Sequence, residues 1–496
     1  MKVSISVLAS VLSLTLATFA WAQDSGTTQY DDGAVYTGQF MDGLRHGEGS
    51  YKSTDGFEYS GTWVRGIIKG QGIAKYPNGS VYEGAFEDGK PHGQGRVTFA
   101  DSSTFEGTWK DGVISGQGRA EYANGSIYEG GFENADHHGQ GKLTTLTGFI
   151  YDGTWANGQQ TGIATVSYGE GSEYKGNLIN GKRDGQGTLR YADGRIYEGQ
   201  WKADLKHGLG KFWNEAGDIY DGQFENDERH GAGTLTYANG DLYEGNFVNG
   251  KREGTGVLKQ SDGIVVEGEW VNNWAEGEGT VTYSDGSIYK GTLVSSRPHG
   301  QGTVTYGDGS GSYTGQWNEG RQEGEGVSIF TNGSQYEGSF LNSAYHGFGK
   351  ITHEDGSSYE GGWRDGLRHG QGLEIHGDGS TFEGSFVEGR PDGVGELKLV
   401  SGFQYVGDWT EGAITGEGNA TYQSGDVYEG AFLNGRPDGL GKMVYADGTT
   451  FYGFWEAGSP KEAQPEPETE SGEADDTATE TITDAVAEDQ SIQDGN

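Results

Sequence analysis

The chain has no cysteine, only 8 prolines, and 34 Lys and Arg against 74 Asp and Glu, a formal net charge of -40 over 496 residues. Without cysteine there is no disulfide, no thiolate nucleophile and no thiolate metal site. So acidic a balance works against nucleic acid, whose phosphates are bound by releasing counterions onto a basic surface, and no nucleic-acid partner is expected. Anionic lipid starts at the same disadvantage. Hydrophobic residues reach only 32%, below the roughly 45–50% of ordinary domains, so little apolar surface per residue is available for a conventional core. Beyond the amino-terminal stretch no segment approaches the ~18 apolar residues of a membrane span.

That amino-terminal stretch reads as a secretory signal peptide over residues 1–22. Lys2 supplies a positive start, Val3 to Phe19 an apolar run, and Ala20-Trp21-Ala22 a small-x-small cleavage site. The expected mature chain starts at Gln23 and is periplasmic or secreted.

Glycine and aromatics are abundant: 94 Gly, 28 Tyr, 20 Phe and 12 Trp. Aromatics at this level argue against a disordered chain, and glycine at this level against a helical one, which leaves sheet and turn. The eight prolines follow no Gly-X-Y period, which excludes collagen.

An internal repeat organises the rest. An anchor residue, usually Tyr, is followed two places later by Gly and four places later by a large apolar residue. The anchors run from Tyr36 through Tyr82, Tyr128, Tyr197, Tyr336 and Tyr428 to Phe451 at steps of 23 residues, with one step of 24 between Tyr289 and Tyr313. The extra residue falls in Gly307 to Gly311, where a longer loop leaves strand register intact. Within a unit, Tyr82, Gly84 and Phe86 share one face of a strand, with Glu83 and Ala85 on the other. Gly93, Gly95 and Val97 repeat the alternation on a second strand. Glu87 to His92 reads as the loop between them, and Asn-Gly or Asp-Gly pairs such as Asn78-Gly79 as the turns between units. Each unit is thus a β-hairpin, and Gly84 leaves room for a ring from the adjacent strand. Eighteen units plus a partial one occupy residues 33–458, after a short lead at 23–32; at about 4.8 Å per strand they predict an all-β, elongated, twisted single-layer antiparallel sheet on the order of 170 Å long. Residues 459–496, with 12 acidic residues, one lysine and no aromatic, read as a disordered acidic tail.

Tyr82-Glu83-Gly84-Ala85-Phe86 with Gly93-Gln94-Gly95, and Tyr428-Glu429-Gly430-Ala431-Phe432 with Gly439-Leu440-Gly441, resemble the MORN repeat. Further units carry the same core: Tyr128, Gly130 and Phe132; Tyr197, Gly199 and Trp201; Tyr336, Gly338 and Phe340. The resemblance implies a twisted hairpin array used for scaffolding, dimerisation and contact with phosphoinositide membranes. Val266 departs from it at an anchor, Leu178 and Leu293 at the second ring, and Ile163-Ala164 breaks one Gly-x-Gly.

Other residues recur at fixed places. Eight of the 11 histidines, among them His46, His92 and His207, precede the Gly-x-Gly; at two strand spacings, about 10 Å apart, they cannot share an ion and read as packing on the loop end. Glu83, Glu106, Glu129, Asp152, Glu198, Asp221, Glu244, Glu267, Glu337, Glu360, Glu383 and Glu429 follow the anchors as a solvated row with no unique dyad. A basic rim is expected along the hairpin loops from Arg45, Lys90, Lys182, Arg183, Lys206, Arg229, Lys251, Arg252, Arg297, Arg321, Arg368, Arg390 and Arg436. Ile67-Ile68, Val113-Ile114 and Ala413-Ile414 read as caps on the ribbon edge, and the slip of the Phe/Trp alternation at Phe224 and Phe247 as a seam between half-arrays.

No unique cluster of acid, base or nucleophile stands apart from the repeat, and no cofactor or metal is expected. The sequence reads as an exported non-enzymatic scaffold for protein or envelope contacts. Alternatives are a membrane-surface binder using the basic rim and a glycan or cell-wall binder using exposed rings. Open edge strands leave room for a homodimer.

Overall fold

In the computed structural model, residues 24–466 are described; the signal peptide expectation and all of the tail beyond Glu466 lie outside them. These residues form 39 strands and no helix. The chain divides into two units, residues 1–299 and 300–496, and within each the strands pair antiparallel with their sequence neighbours.

One repeat shows how the residues dictate this. The first strand, Val81–Glu87, and the second, Lys90–Thr98, are joined by Asp88 and Gly89 alone, at φ of 50° and 79°. Positive φ at both turn positions twists the chain the way paired strands twist, which suits a two-residue hairpin. The turn between units is different: only the glycine, Gly79, has positive φ, and Tyr76 and Ser80 close the loop by a backbone bond of 2.8 Å.

The register sets Tyr82 opposite Val97, Gly84 opposite Gly95 and Phe86 opposite Pro91, with a bulge between Gly84 and Phe86. Toward the next unit Gly95 pairs with Gly107 and Gly93 with Trp109. A line of glycines therefore crosses the sheet, and the ring that lies on it is the unit's own anchor, not one from the adjacent strand. Tyr82 bends over Gly84 and Gly95, and a Cβ on Gly95 would stand 2.6 Å from its Cε2. The bulge frees the carbonyl of Ala85, which accepts a 2.8 Å bond from the Tyr82 hydroxyl. A ring with a polar tip is thereby buried with its hydroxyl satisfied.

Edge-to-face contacts extend this ring from unit to unit. Tyr82 meets Phe86 at 5.0 Å and 87°, and Trp109 of the following unit at 5.1 Å and 80°. Most of the core tryptophans also reach back: Trp109 Nε1 donates to the Gly95 carbonyl at 3.2 Å, and Trp63, Trp155 and Trp201 do the same to Gly49, Gly141 and Gly187.

Several boundaries move. Asp24–Gln29, inside the expected lead, is a strand paired with Val35–Met41. Ser459–Ala463, assigned above to the tail, pairs with Thr450–Glu456 and closes the partial repeat as a hairpin. Tyr220 touches Phe224 and Phe247 at 5.0 and 5.1 Å, so the ring ladder has no seam there. The 24-residue step is absorbed in the loop, Tyr306 bonding Gly311 while Val304 still faces Tyr313.

Candidate functional site

The two faces of the sheet are built for different work. On the inner face Tyr128, Tyr197, Tyr336 and Tyr428 are fully covered, and Phe86, Phe132, Trp201, Phe340 and Phe432 nearly so. Burial pushes the tyrosine hydroxyls up, to about 12 for Tyr59, Tyr151, Tyr220 and Tyr243.

What covers these rings is a position that sequence reading had placed in the loop. Because the hairpin turn has only two residues, Lys90, Pro91 and His92 belong to the second strand. The second residue of that strand lies over the anchor as a lid. His137 stacks on Tyr128 at 3.6 Å and 16°, and Tyr345 on Tyr336 at 3.6 Å and 13°. Burial holds the His137 imidazole below the usual histidine range.

This splits the expected basic rim. Lys90, Lys182, Lys251, Arg297, Arg321, Arg390 and Arg436 start their strands and are exposed. Arg45, Arg183, Lys206, Arg229, Arg252 and Arg368 occupy the lid and are half-buried. The Arg183 guanidinium lies 4.1 Å from the Trp201 ring and that of Arg252 4.4 Å from Trp270, so each lid also covers the ring of the following unit. Their guanidinium groups donate to the next hairpin turn, Arg252 to the Asn273 carbonyl at 2.7 Å and Arg229 to that of Gly250 at 2.7 Å. Ile68, Ile114 and Ile414 are lids as well, not edge caps, whereas Ile67 and Val113 beside them are exposed. Arg252→Ala is expected to lower stability by about 1–2 kcal/mol through lost ring cover, and Lys251→Ala by less than about 0.5 kcal/mol; chemical denaturation of the two variants compares them.

The lid has a partner six residues on, at the position facing the anchor. Lys206 Nζ lies 4.8 Å from the Phe212 ring and Arg45 5.0 Å from that of Tyr51. The two residues meet across the anchor, and their sizes are linked: isoleucine lids Ile68, Ile114 and Ile414 go with Ala74, Ala120 and Ala420.

The histidine position is a strand residue too, third in its strand, and it accepts from the next hairpin turn. Arg65 N donates to His46 Nδ1 at 3.3 Å, and Asn272 N and Ala457 N donate to Glu253 and Asp438 at 3.0 and 2.9 Å. Histidine, aspartate and glutamate interchange there because each offers an acceptor.

On the outer face the twelve carboxylates following the anchors are all exposed. Basic residues stand across the strands from some of them: Arg119 on Glu129 at 3.3 Å, Lys259 on Glu244 at 2.9 Å and Lys350 on Glu360 at 2.8 Å. Exposed pairs of this kind stabilise little. Among the described residues no three His, Asp or Glu side chains converge as metal ligands.

None of the curated proteins matches the chain. Among solved structures, the TCP10 domain of Danio rerio CPAP in complex with a peptide of Danio rerio STIL is similar at 13% identity and a TM-score of 0.17, over 56% of this chain and 95% of that one. The Drosophila melanogaster SAS-4 TCP domain with a proline-rich motif of Ana2 is similar at 14% identity and a TM-score of 0.19, over 39% and 87%. Virginiamycin B lyase from Staphylococcus aureus follows at 12% identity and 0.11, over 55% and 96%. The family model of the MORN repeat matches 18 successive segments from residues 36–57 to 428–450, each laid over a hairpin built as described, and the chain belongs to the MORN repeat family.

Proposed function

We propose that this protein is an exported, non-enzymatic scaffold that binds protein partners through its outer face. The observation that carries the reading is the row of twelve exposed carboxylates at one register, while rings, glycines and lids are committed to the inner face. Equivalent sites repeated on one sheet add by avidity, so a partner with spaced basic groups gains affinity from each further unit. The membrane-surface reading has less support, because six of its thirteen rim cations are lids over rings.

In-cell crosslinking, followed by capture with variants lacking whole repeats, tests the proposal. Loss of binding is expected in graded steps as blocks are removed, with weakening by salt. Loss on removal of one block alone, unaffected by salt, overturns it. Export predicts a mature amino terminus at Gln23, read by sequencing the protein recovered outside the cytoplasm.

A further inference from the structure

The repeat is so regular that its departures stand out, and several fall around one cleft in the unit formed by residues 300–496. The position facing the anchor is apolar in most repeats, from Ala74 and Val97 to Leu397 and Met443. Opposite Tyr359 it is Glu374. The residue closing the second strand before the inter-unit loop is most often tyrosine, as at Tyr76, Tyr122 and Tyr422; in two successive units it is His353 and His376. Glu374, His353 and His376 line the same open cleft of about 570 Å³, together with Asp355, Ser358 and Arg368.

The lid Arg368 holds Glu374 through an ion pair of 2.6 Å and donates to the Gly389 carbonyl at 2.8 Å. Both side chains are about a quarter exposed, at 28% and 22%. The guanidinium is thereby occupied, while the carboxylate, held through one oxygen, lines the cleft. The cleft also presents the imidazole of His353, whose Nδ1 meets the Ser334 hydroxyl at 3.1 Å, that of His376, and the Ser358 hydroxyl. Ile351, Leu367 and Ile375 supply aliphatic wall.

The chemistry of these groups selects among ligands. A phosphate or sulfate would meet Glu374 and Asp355 and be repelled. A divalent ion lacks three converging ligands. A ring of hydroxyl groups on a carbon frame fits: fixed carboxylate and imidazole atoms bind adjacent hydroxyls, and the aliphatic wall takes the C–H edge. The volume lies within the range of small-molecule sites, about 300–1,000 Å³. We propose that the cleft between Glu374, His353 and His376 binds a neutral saccharide unit. This differs from glycan stacking on exposed rings, since Trp363 at the cleft is buried.

The repeat itself supplies the control. Arg368→Ile with Glu374→Ala installs the lid and facing pair already present at Ile414 and Ala420, and should keep fold and melting temperature. Saturation-transfer NMR and calorimetry of the full chain, titrated with glucose, galactose, N-acetylglucosamine and their β-1,4-linked disaccharides, read binding. At least one sugar is expected to bind with a Kd on the order of 1 mM or tighter, weakened at least tenfold in the double variant and less in Glu374→Gln, which keeps an acceptor oxygen. No transfer to any sugar, equal binding by the double variant, or binding of cationic amines in place of neutral sugars would overturn the assignment.

Discussion

Gly256→Ala is expected to destabilise its repeat by about 3 kcal/mol, whereas Gly268→Ala, its cross-strand partner in the next unit, should change stability by less than about 1 kcal/mol. The two glycines pair in register, so the difference lies in what covers them. A Cβ on Gly256 would sit 2.6 Å from Tyr243 Cζ, and the buried ring would have to leave its hydroxyl acceptor to make room. At Gly268 the anchor is Val266, and the nearest atoms stand 3.3 and 3.4 Å away. A branched residue replaces the tyrosine, and the added methyl meets no ring, only the main-chain atoms Glu278 O and Gly279 Cα, which must yield by a few tenths of an ångström. Stability in stacked repeats is close to a sum of unit and neighbour terms. The Gly256 variant should therefore show a local loss of hydrogen-exchange protection over residues 242–259 before the array melts. Equal effects of the two substitutions would refute the ring-over-glycine account.

Raising the pH should unfold the array in a cooperative step. Tyr59, Tyr151, Tyr220, Tyr243, Tyr289, Tyr359 and Tyr405 have hydroxyls pushed up to about 12 by burial, against an ordinary value of 10. Tyr82, Tyr128, Tyr174 and Tyr428 are raised further for the same reason. A folded value above the unfolded one means that this stability is whole below pH 10 and is lost as pH climbs toward the folded value. Across that window each such tyrosine favours unfolding by about 1.4 kcal/mol per pH unit, and the loss is shared by many units at once. Tyrosinate absorbance and the β-sheet circular dichroism signal should therefore change together between about pH 11 and 12. Gradual ionisation centred near pH 10 with the sheet signal intact would contradict the buried anchors.

Period, hairpins and core rings were legible because they rest on residue types that nothing else explains. A Tyr-x-Gly-x-Phe recurring every 23 residues forces a strand with one aromatic face, and Asn-Gly or Asp-Gly forces a turn. The lid was not legible, for a physical reason. Lys90-Pro91-His92 is polar and proline-bearing and reads as loop, yet a two-residue turn and a bulge beside Gly84 carry it into the strand and over the ring. Only the bulge shifts the register, and its signature is a glycine already assigned to another role. The same shift hides Glu374: in Leu373-Glu374-Ile375 the carboxylate looks like a solvent-facing residue between two apolar ones, until pairing with Tyr359 puts it inside. The strand at Ser459–Ala463 was masked by the acidic composition that follows it.

Eight indoles on the inner face, from Trp63 to Trp409, donate to a carbonyl 14 or 15 residues earlier, and in most hairpins the second turn residue gives its N–H to a main-chain oxygen of the strand before. These bonds point in one sense along the chain. A polypeptide emerging amino end first therefore finds the acceptors of these particular bonds already in place, whereas lid side chains such as Arg252, which donates to the Asn273 carbonyl, wait for the next turn. Assembly from the other end would leave these eight tryptophans without a receiver until the preceding unit arrived. The array is, in this respect, polar like a growing filament, with a starting end and an advancing end.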